Sequence, residues 1–278
     1  FNIYQSRNVL LEGIVSMDSH TWDVVPELCK NLRINNIKII SGNGGDDGID
    51  VVGSSKVVIE NSFVRTKDDC IAVKALKKGY EDSVMTDLLV KNCVFWNAEW
   101  GNALEIGFET RIKRMENMRF IDNDIIHVIG GAALSIHAAD FAEIKDIYFE
   151  NIRIENVTQK LIDVAVFFSL FSRDSPYKYG EFTPDSPRYL HGVWDNVIKL
   201  NPEEYSQYAG GRGKVYNVYF TNIQVTDGVF PFSVIEGYDA AHDVKNIVLK
   251  DVYIHGKKIE NEEQLRLFKK FASGIEIK

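Results

Sequence analysis

Apolar and polar residues alternate along this chain in short bursts, and one burst keeps returning: Asn or Asp, apolar, any, apolar, any, Asn, apolar. It is readable as NVLLEGI, NLRINNI, KVVIENS, DLLVKNC, NMRFIDN, DIYFENI, NVYFTNI and NIVLKDV. The central apolar residues are Leu11, Ile34, Ile59, Val90, Phe120, Phe149, Phe220 and Leu249, separated by 23, 25, 31, 30, 29, 71 and 29 residues. Two positions beyond each stand Gly13, Asn36, Asn61, Asn92, Asp122, Asn151, Asn222 and Asp251. Period-two alternation with β-branched and aromatic enrichment predicts strands. A unit of 23 to 31 residues with two or three short strands cannot bury its apolar side alone, but stacked units can. The pattern therefore predicts an all-β chain, a parallel β-solenoid whose coils place the same Asn at the same corner, one amide above the next. A propeller or sandwich would need hairpin turns every 8–12 residues, and Asn-Gly or Asp-Gly turns are sparse.

The 71-residue interval is one coil plus about forty residues, which places a long loop insertion near 167–210 where it would shape a binding face. The tail, at about 259–273, has apolar residues at helical spacing and is expected to form a C-terminal helix or cap. Residues 1–278 are thus read as a single solenoid domain. Because the first residues already read as a strand, with no basic-then-apolar leader, an N-terminal segment is expected to be missing.

Composition narrows the function. With 32 Lys+Arg against 40 Asp+Glu, the net charge of −8 and the lack of a basic block argue against nucleic acid as a partner. No apolar run is long enough for a membrane span. Cys29, Cys70 and Cys93 are too scattered for a zinc site or a disulfide framework and are expected to pack as buried thiols. No metal or other cofactor is called for, and the oligomeric state is left open.

Carboxylates gather where strands do not need them, at Asp46-Asp47-Gly48-Ile49-Asp50 and Lys67-Asp68-Asp69-Cys70. Asp47 precedes Asp68 by 21 residues and Asp69 by 22, about one coil, so the groups fall on rungs roughly 4.8 Å apart. Aligning Ile49, Ile71, Leu104 and Leu134 as one inward row puts Asp47, Asp69, Asn102 and Ala132 in another. Asp50, Ala72, Glu105 and Ser135 then form an outward row, followed by Lys74 and His137. Three close carboxylates cannot all ionise freely, so one becomes a proton donor and another a base, as glycosidic hydrolysis requires. The competing reading is that these Asp residues cap turns or hold a structural cation.

The segment GGDDGIDVVGSSKVVIENSFVRTKDDCIAVK resembles the polygalacturonase family of glycoside hydrolases, family 28, and its dextranase and isopullulanase relatives. The likeness implies a right-handed, single-stranded parallel β-helix. It also implies a secreted location, extracellular or periplasmic, and a polysaccharide or oligosaccharide substrate. Carried over by position, it implies Asp68 as general acid, Asp47 and Asp69 as holders of the attacking water, and inversion of the anomeric centre. Two departures bear on substrate. Gly101-Asn102-Ala103 replaces the family's Gly-His-Gly, and Ser135-Ile136-His137 replaces its Arg-Ile-Lys, the grip on a uronate carboxylate. Without that bidentate cation, and with Glu105 there to repel a carboxylate, a neutral or non-pectic glycan is expected. Asn102, Glu105, Lys74, His137, Trp100 and His20 are the candidate substrate-binding residues. Trp22, Trp96 and Tyr80 are further stacking candidates, and Glu109 and Arg111 are weaker ones. The alternatives are a polygalacturonase acting on pectin through Lys74 or Arg111, a non-catalytic glycan-binding β-helix, and, less favoured, a calcium-dependent lyase.

Overall fold

A computed structural model of the chain describes residues 1–169, 171–175 and 211–278, together with the backbone of 177–179 and 197–199. The repeat closes into a parallel β-helix. One nine-stranded parallel sheet runs along it: β1 (Asn2–Tyr4), β2 (Val25–Glu27), β3 (Ile49–Val52), β4 (Ile71–Ala75), β5 (Leu104–Thr110), β6 (Ala132–Ala138), β7 (Lys160–Val166), β8 (Phe232–Glu236) and β9 (Leu267–Lys270). Two further faces, carried by strands such as Ser55–Glu60 and Phe63–Thr66, merge through the long strand Glu143–Val157.

The repeated Asn has a conformational job. All eight positions, from Gly13 (φ 69°) through Asn36, Asn61, Asn92, Asp122, Asn151 and Asn222 to Asp251 (φ 55°), sit in the left-handed region. That region is cheapest for Gly and next for Asn and Asp, so the corner of every coil selects these residues. The expected amide ladder forms along the later coils: Asn92 Nδ2 donates to Asn61 Oδ1 (2.7 Å), Asn151 to Asp122 (2.9 Å) and Asn222 to Asn151 (3.0 Å), whereas Asn61 donates to Asn35, the neighbour of the corner Asn36 (2.7 Å). The first residue of each repeat makes a second left-handed corner, as at Asn8, Asn31, Asn117, Asn217 and Asn246.

Between the corners the central apolar residues point inward, and Ile34, Ile59, Val90, Phe120, Phe149, Phe220 and Leu249 are fully buried. Phe149 lies directly beside Phe220, with centroids 5.1 Å apart, although 71 residues separate them. Neighbouring coils therefore meet across the long interval. Phe149 also stacks on Phe120 at 4.9 Å, so Phe149→Ala would open a cavity between two coils. It is expected to cost about 3–5 kcal/mol, read as a lower urea midpoint at unchanged slope.

At the base of the long interval, Arg212 donates to Ser172 Oγ (3.0 Å) and Phe167 O (3.2 Å), and Asp140 accepts from the Arg173 amide (2.6 Å). Within the interval, Tyr177–Tyr179 pairs antiparallel with Val197–Lys199. The remainder of the expected insertion lies outside the described residues.

Of the two forms expected for the C-terminal segment, helix or cap, the helix does not form. Residues 261–266 make turns, after which β9 pairs with β8 and Ala272–Ile277 pairs with Val244–Ile254. The preceding coil presents a row of unpaired backbone groups, and satisfying them in register outweighs a short segment's helical periodicity. No described residue is in a helix, so no described helix is long and apolar enough to cross a membrane. Cys29, Cys70 and Cys93 are free and buried, as expected.

Candidate active site

The site lies along β3 to β7. Their register is the one the sequence rows predict: Ile71 pairs with Ile49 and Leu104, Leu104 with Leu134, and Glu105 with Ala72 and Ser135. One residue before this block, the Gly48 amide donates to Asp69 O (2.8 Å) and the Cys70 amide to Asn102 O (3.0 Å), which sets Asp47, Asp69 and Asn102 side by side. Carboxylate oxygens of Asp47, Asp68 and Asp69 lie within 4.8 Å of one another.

The three are not equivalent. Asp47 and Asp69 are 3% and 9% exposed, whereas Asp68 is half-buried and the most open to a ligand. Burial, then the neighbouring Asp47 charge, lifts Asp68 to about 6, opposed by Lys74 and by the Asp69 amide on its Oδ1 (3.0 Å). Burial and the charges of Asp47, Glu105 and Asp68 push Asp69 well above the usual carboxylate range. Asp46 is structural: its oxygens accept from the amides of Asn43 and Lys67, both at 3.1 Å. The spacing of the trio would also suit a divalent cation, but positive charge is already supplied by Lys74, whose Nζ is 2.7 Å from Asp47 Oδ2 and 3.0 Å from Asp50 Oδ1.

Lys74 is 7% exposed, and its ammonium lies 4.1 Å from the centroid of the Trp22 ring. Burial alone would lower its pKa, but Asp50, Asp47, Glu109 and Asp69 outweigh that and hold it well above the ordinary lysine value. It is therefore engaged beneath the site. Asp50 is wholly buried, and neither of its oxygens receives a well-directed hydrogen bond. Burial and Asp47 raise its pKa well above normal.

The row expected to face outward is covered. Asp50, Glu105 and Ser135 are at most 1% exposed, because the groups that pair with them fill the space above. Glu105 accepts from Asn102 Nδ2 (3.0 Å), from Ser135 Oγ and from His137 Nδ1 (3.0 Å). The other His137 nitrogen faces Asp163 Oδ2 at 3.1 Å. Burial alone would lower the His137 pKa, yet Glu105 and Asp163 together raise it to about 10. The ring is thus an imidazolium at neutral pH, and the expectation that Glu105 repels a substrate carboxylate gives way to a neutralised pair. Asp163 was missed from sequence. Carrying the Asp50, Ala72, Glu105, Ser135 row one coil further reaches it, since Ser135 pairs with Asp163.

Asn102 joins the two groups: its amide N and Nδ2 reach Asp69 Oδ1 at 2.6 and 3.2 Å. Trp100 is 51% exposed in the loop before it, tethered by its amide to Lys67 O (2.5 Å). Gly101 (φ 64°) lets this loop touch the acids, for a Cβ there would fall on Asp68 Oδ1 and Asp69 Oδ1. Gly101→Ala is expected to cut turnover at least about 100-fold, given what misplacement of reacting groups costs, with the melting temperature lowered far less than by a core truncation. His20 is exposed in a loop tied down through Asn43, with no hydrogen bond or ion pair joining it to the trio. Arg111 faces Asp140 (3.4 Å) and donates to Phe171 O (2.6 Å), which anchors residues 171–175.

The sequence model of glycosyl hydrolases family 28 matches residues 1–168, more than half of the chain. The chain belongs to glycosyl hydrolase family 28. It is 24% identical over 164 residues to a probable endopolygalacturonase D of Neosartorya fischeri, covering 59% of this chain and 31% of that protein. It is 25% identical over 164 residues to a probable polygalacturonase of Arabidopsis thaliana, covering 57% and 34%. Among solved structures it resembles a hyperthermoactive exopolygalacturonase from Thermotoga maritima, with a TM-score of 0.67 at 20% identity, over 98% of this chain and 53% of that one. The chain thus spans about a third of the length of these curated relatives. The structural likeness establishes the fold, a right-handed parallel β-helix.

Proposed function

We propose that this chain hydrolyses a polysaccharide by single displacement, with Asp68 as general acid and Asp47 and Asp69 holding the attacking water. The observation that carries this reading is the trio itself. Three carboxylates share a 4.8 Å cluster, one of them half-open with its pKa at about 6. A half-open acid can deliver a proton to a leaving oxygen, while the two more buried carboxylates face the water. A two-carboxylate inverting site usually separates its groups by about 6.5–9.5 Å to admit that water, and a retaining site by about 5–5.5 Å. The 4.8 Å span lies between single oxygens, so the carboxyl groups themselves can stand further apart; Asp68 as the acid with Asp47 and Asp69 as a pair around one water corresponds to inversion.

Two readings of the substrate have support. The relatives are named polygalacturonases, which favours a pectic galacturonan. The charges of the site favour a sugar without a carboxylate at the cleaved bond. The cations borne by β4 to β7 are Lys74, His137 and Lys160, and each already faces carboxylates. We take the neutral sugar as the reading the geometry supports best. An extracellular or periplasmic location follows from the size of such a substrate.

Product analysis by NMR on polygalacturonan, rhamnogalacturonan and neutral glucans tests both points. Inverted product from a neutral-sugar linkage is expected. A product of retained configuration would make Asp47 or Asp69 a nucleophile, and release of galacturonate from polygalacturonan would transfer the assignment to the pectic reading. Equal glycan retention by wild type and Asp68→Asn, with no product from any polysaccharide, would leave a binding solenoid.

A further inference from the structure

The buried groups next to the trio form a continuous chain that ends on Asp69. Asp163 faces His137 Nε2 at 3.1 Å, His137 Nδ1 lies 3.0 Å from both oxygens of Glu105, Glu105 accepts from Asn102 Nδ2 at 3.0 Å, and Asn102 donates twice to Asp69 Oδ1. Lys160 pairs with Asp163 at the far end, and Ser135 Oγ donates to Glu105. The orientation of the Asn102 amide is fixed by chemistry, because its Oδ1 accepts the Ala132 amide (2.8 Å) and its Nδ2 must therefore face the carboxylates. His137, Glu105, Asn102 and Asp163 are 7%, 1%, 5% and 4% exposed. A ring with a carboxylate on each nitrogen has no donor left for a sugar.

We infer that Glu105 and His137 are positioning residues, which lock the Asn102 amide onto Asp69 Oδ1 and leave Asp69 Oδ2 as the one oxygen of that carboxylate free to hold water. Without the imidazolium, Glu105 would be a buried charge short of partners and would compete for the Asn102 amide by shifting toward it. Without Glu105, the imidazolium would lose its Nδ1 acceptor and Asn102 would lose one of the two carboxylates that share its Nδ2. In either case Asp69 would turn away from the orientation that presents one lone oxygen to the cleft, and such small displacements are costly at a reacting centre.

This inference rests on the assignment of the Asp trio, and its test has a part that needs no substrate. The charged groups facing Asp69 are Asp47 before β3, Asp68, Lys74 on β4 and Glu105 on β5, with Asp46 acting on Asp68; those facing His137 are Glu105 and Asp163. Carboxyl-carbon NMR titration of Asp69 in wild type, Glu105→Gln and His137→Gln is expected to move in opposite directions. Glu105→Gln removes a neighbouring negative charge and lowers the Asp69 midpoint. His137→Gln removes the cation that neutralises Glu105 and raises it. With an active polysaccharide, both variants should lose about 10- to 100-fold in kcat at a KM within about twofold of wild type. An unmoved Asp69 midpoint, or a raised KM with kcat intact, would overturn the inference and return both residues to substrate binding. Melting curves of the two near-isosteric variants separate misfolding from repositioning, and His137→Lys, which keeps a cation, should recover the wild-type midpoint more closely than His137→Gln. If wild type cleaves nothing, the proposed function fails while the titration still decides the inference.

Discussion

Asp68→Asn should lower kcat on the cleaved polysaccharide by about 10²–10⁴-fold, the usual worth of a positioned general acid, while leaving KM nearly unchanged. Asn keeps the shape and accepts the Asp69 amide just as the carboxylate does, so the loss would report the proton. The wild-type rate should fall as pH rises through about 6, because the proton on Asp68 is lost there, and the residual rate of the variant should lack that limb. The stability sign runs the same way. An Asp whose folded pKa lies above its unfolded value binds its proton more tightly when folded, so it favours the fold at low pH and opposes it once pH passes about 6. Asp68→Asn should therefore melt no lower than wild type at pH 7 and show a flatter dependence between pH 4 and 6. Initial rates and melting curves over pH 4–8 measure both. A variant with full activity would remove Asp68 from the acid role, and one that melts far below wild type would make Asp68 a structural residue.

The coil architecture was legible because backbone geometry repeats it: a left-handed corner selects Asn, Asp or Gly at Asn36, Asn61 and Asn92, and spacing then counts coils. The same counting aligned Ile49, Ile71, Leu104 and Leu134, and from that row the proximity of Asp47 to Asp69 followed. Partner choice was less legible. Lys74 and His137 could be placed on the right face, but whether a cation waits for substrate or is held by its neighbours depends on burial and on side-chain reach, which register does not encode. Leu265, Leu267 and Phe268 looked helical because a short apolar run satisfies either period, and the open edge of β8 decided the outcome. Asp163 escaped because its row was not carried across the next coil.

Lys74→Met should be the most destabilising single change in the site, costing about 3–5 kcal/mol near neutral pH, the usual penalty for removing one partner of a buried ion pair. The side chain keeps its volume against Trp22, so packing is largely retained and the loss isolates the charge. Asp47 and Asp50 would be left facing each other, with Asp69 close behind, and no described ammonium between them. Such carboxylates respond by holding protons. The pKa of Asp50, already raised by burial and by Asp47, would climb further above its unfolded value, so the folded state would take up protons more strongly than the unfolded one. Stability of the variant should thus recover as pH falls, and its deficit against wild type should shrink from pH 8 to pH 5. The same shift would reprotonate the carboxylates meant to hold water, so activity should fall most at the acid end even as the fold improves. Opposite pH trends in stability and turnover are the signature to look for, by denaturant titration and initial rates on the same samples. A pH-independent deficit would mean that the Lys74 charge acts mainly on the Trp22 ring rather than on the carboxylates, and undiminished activity would show that the trio does not need its charge.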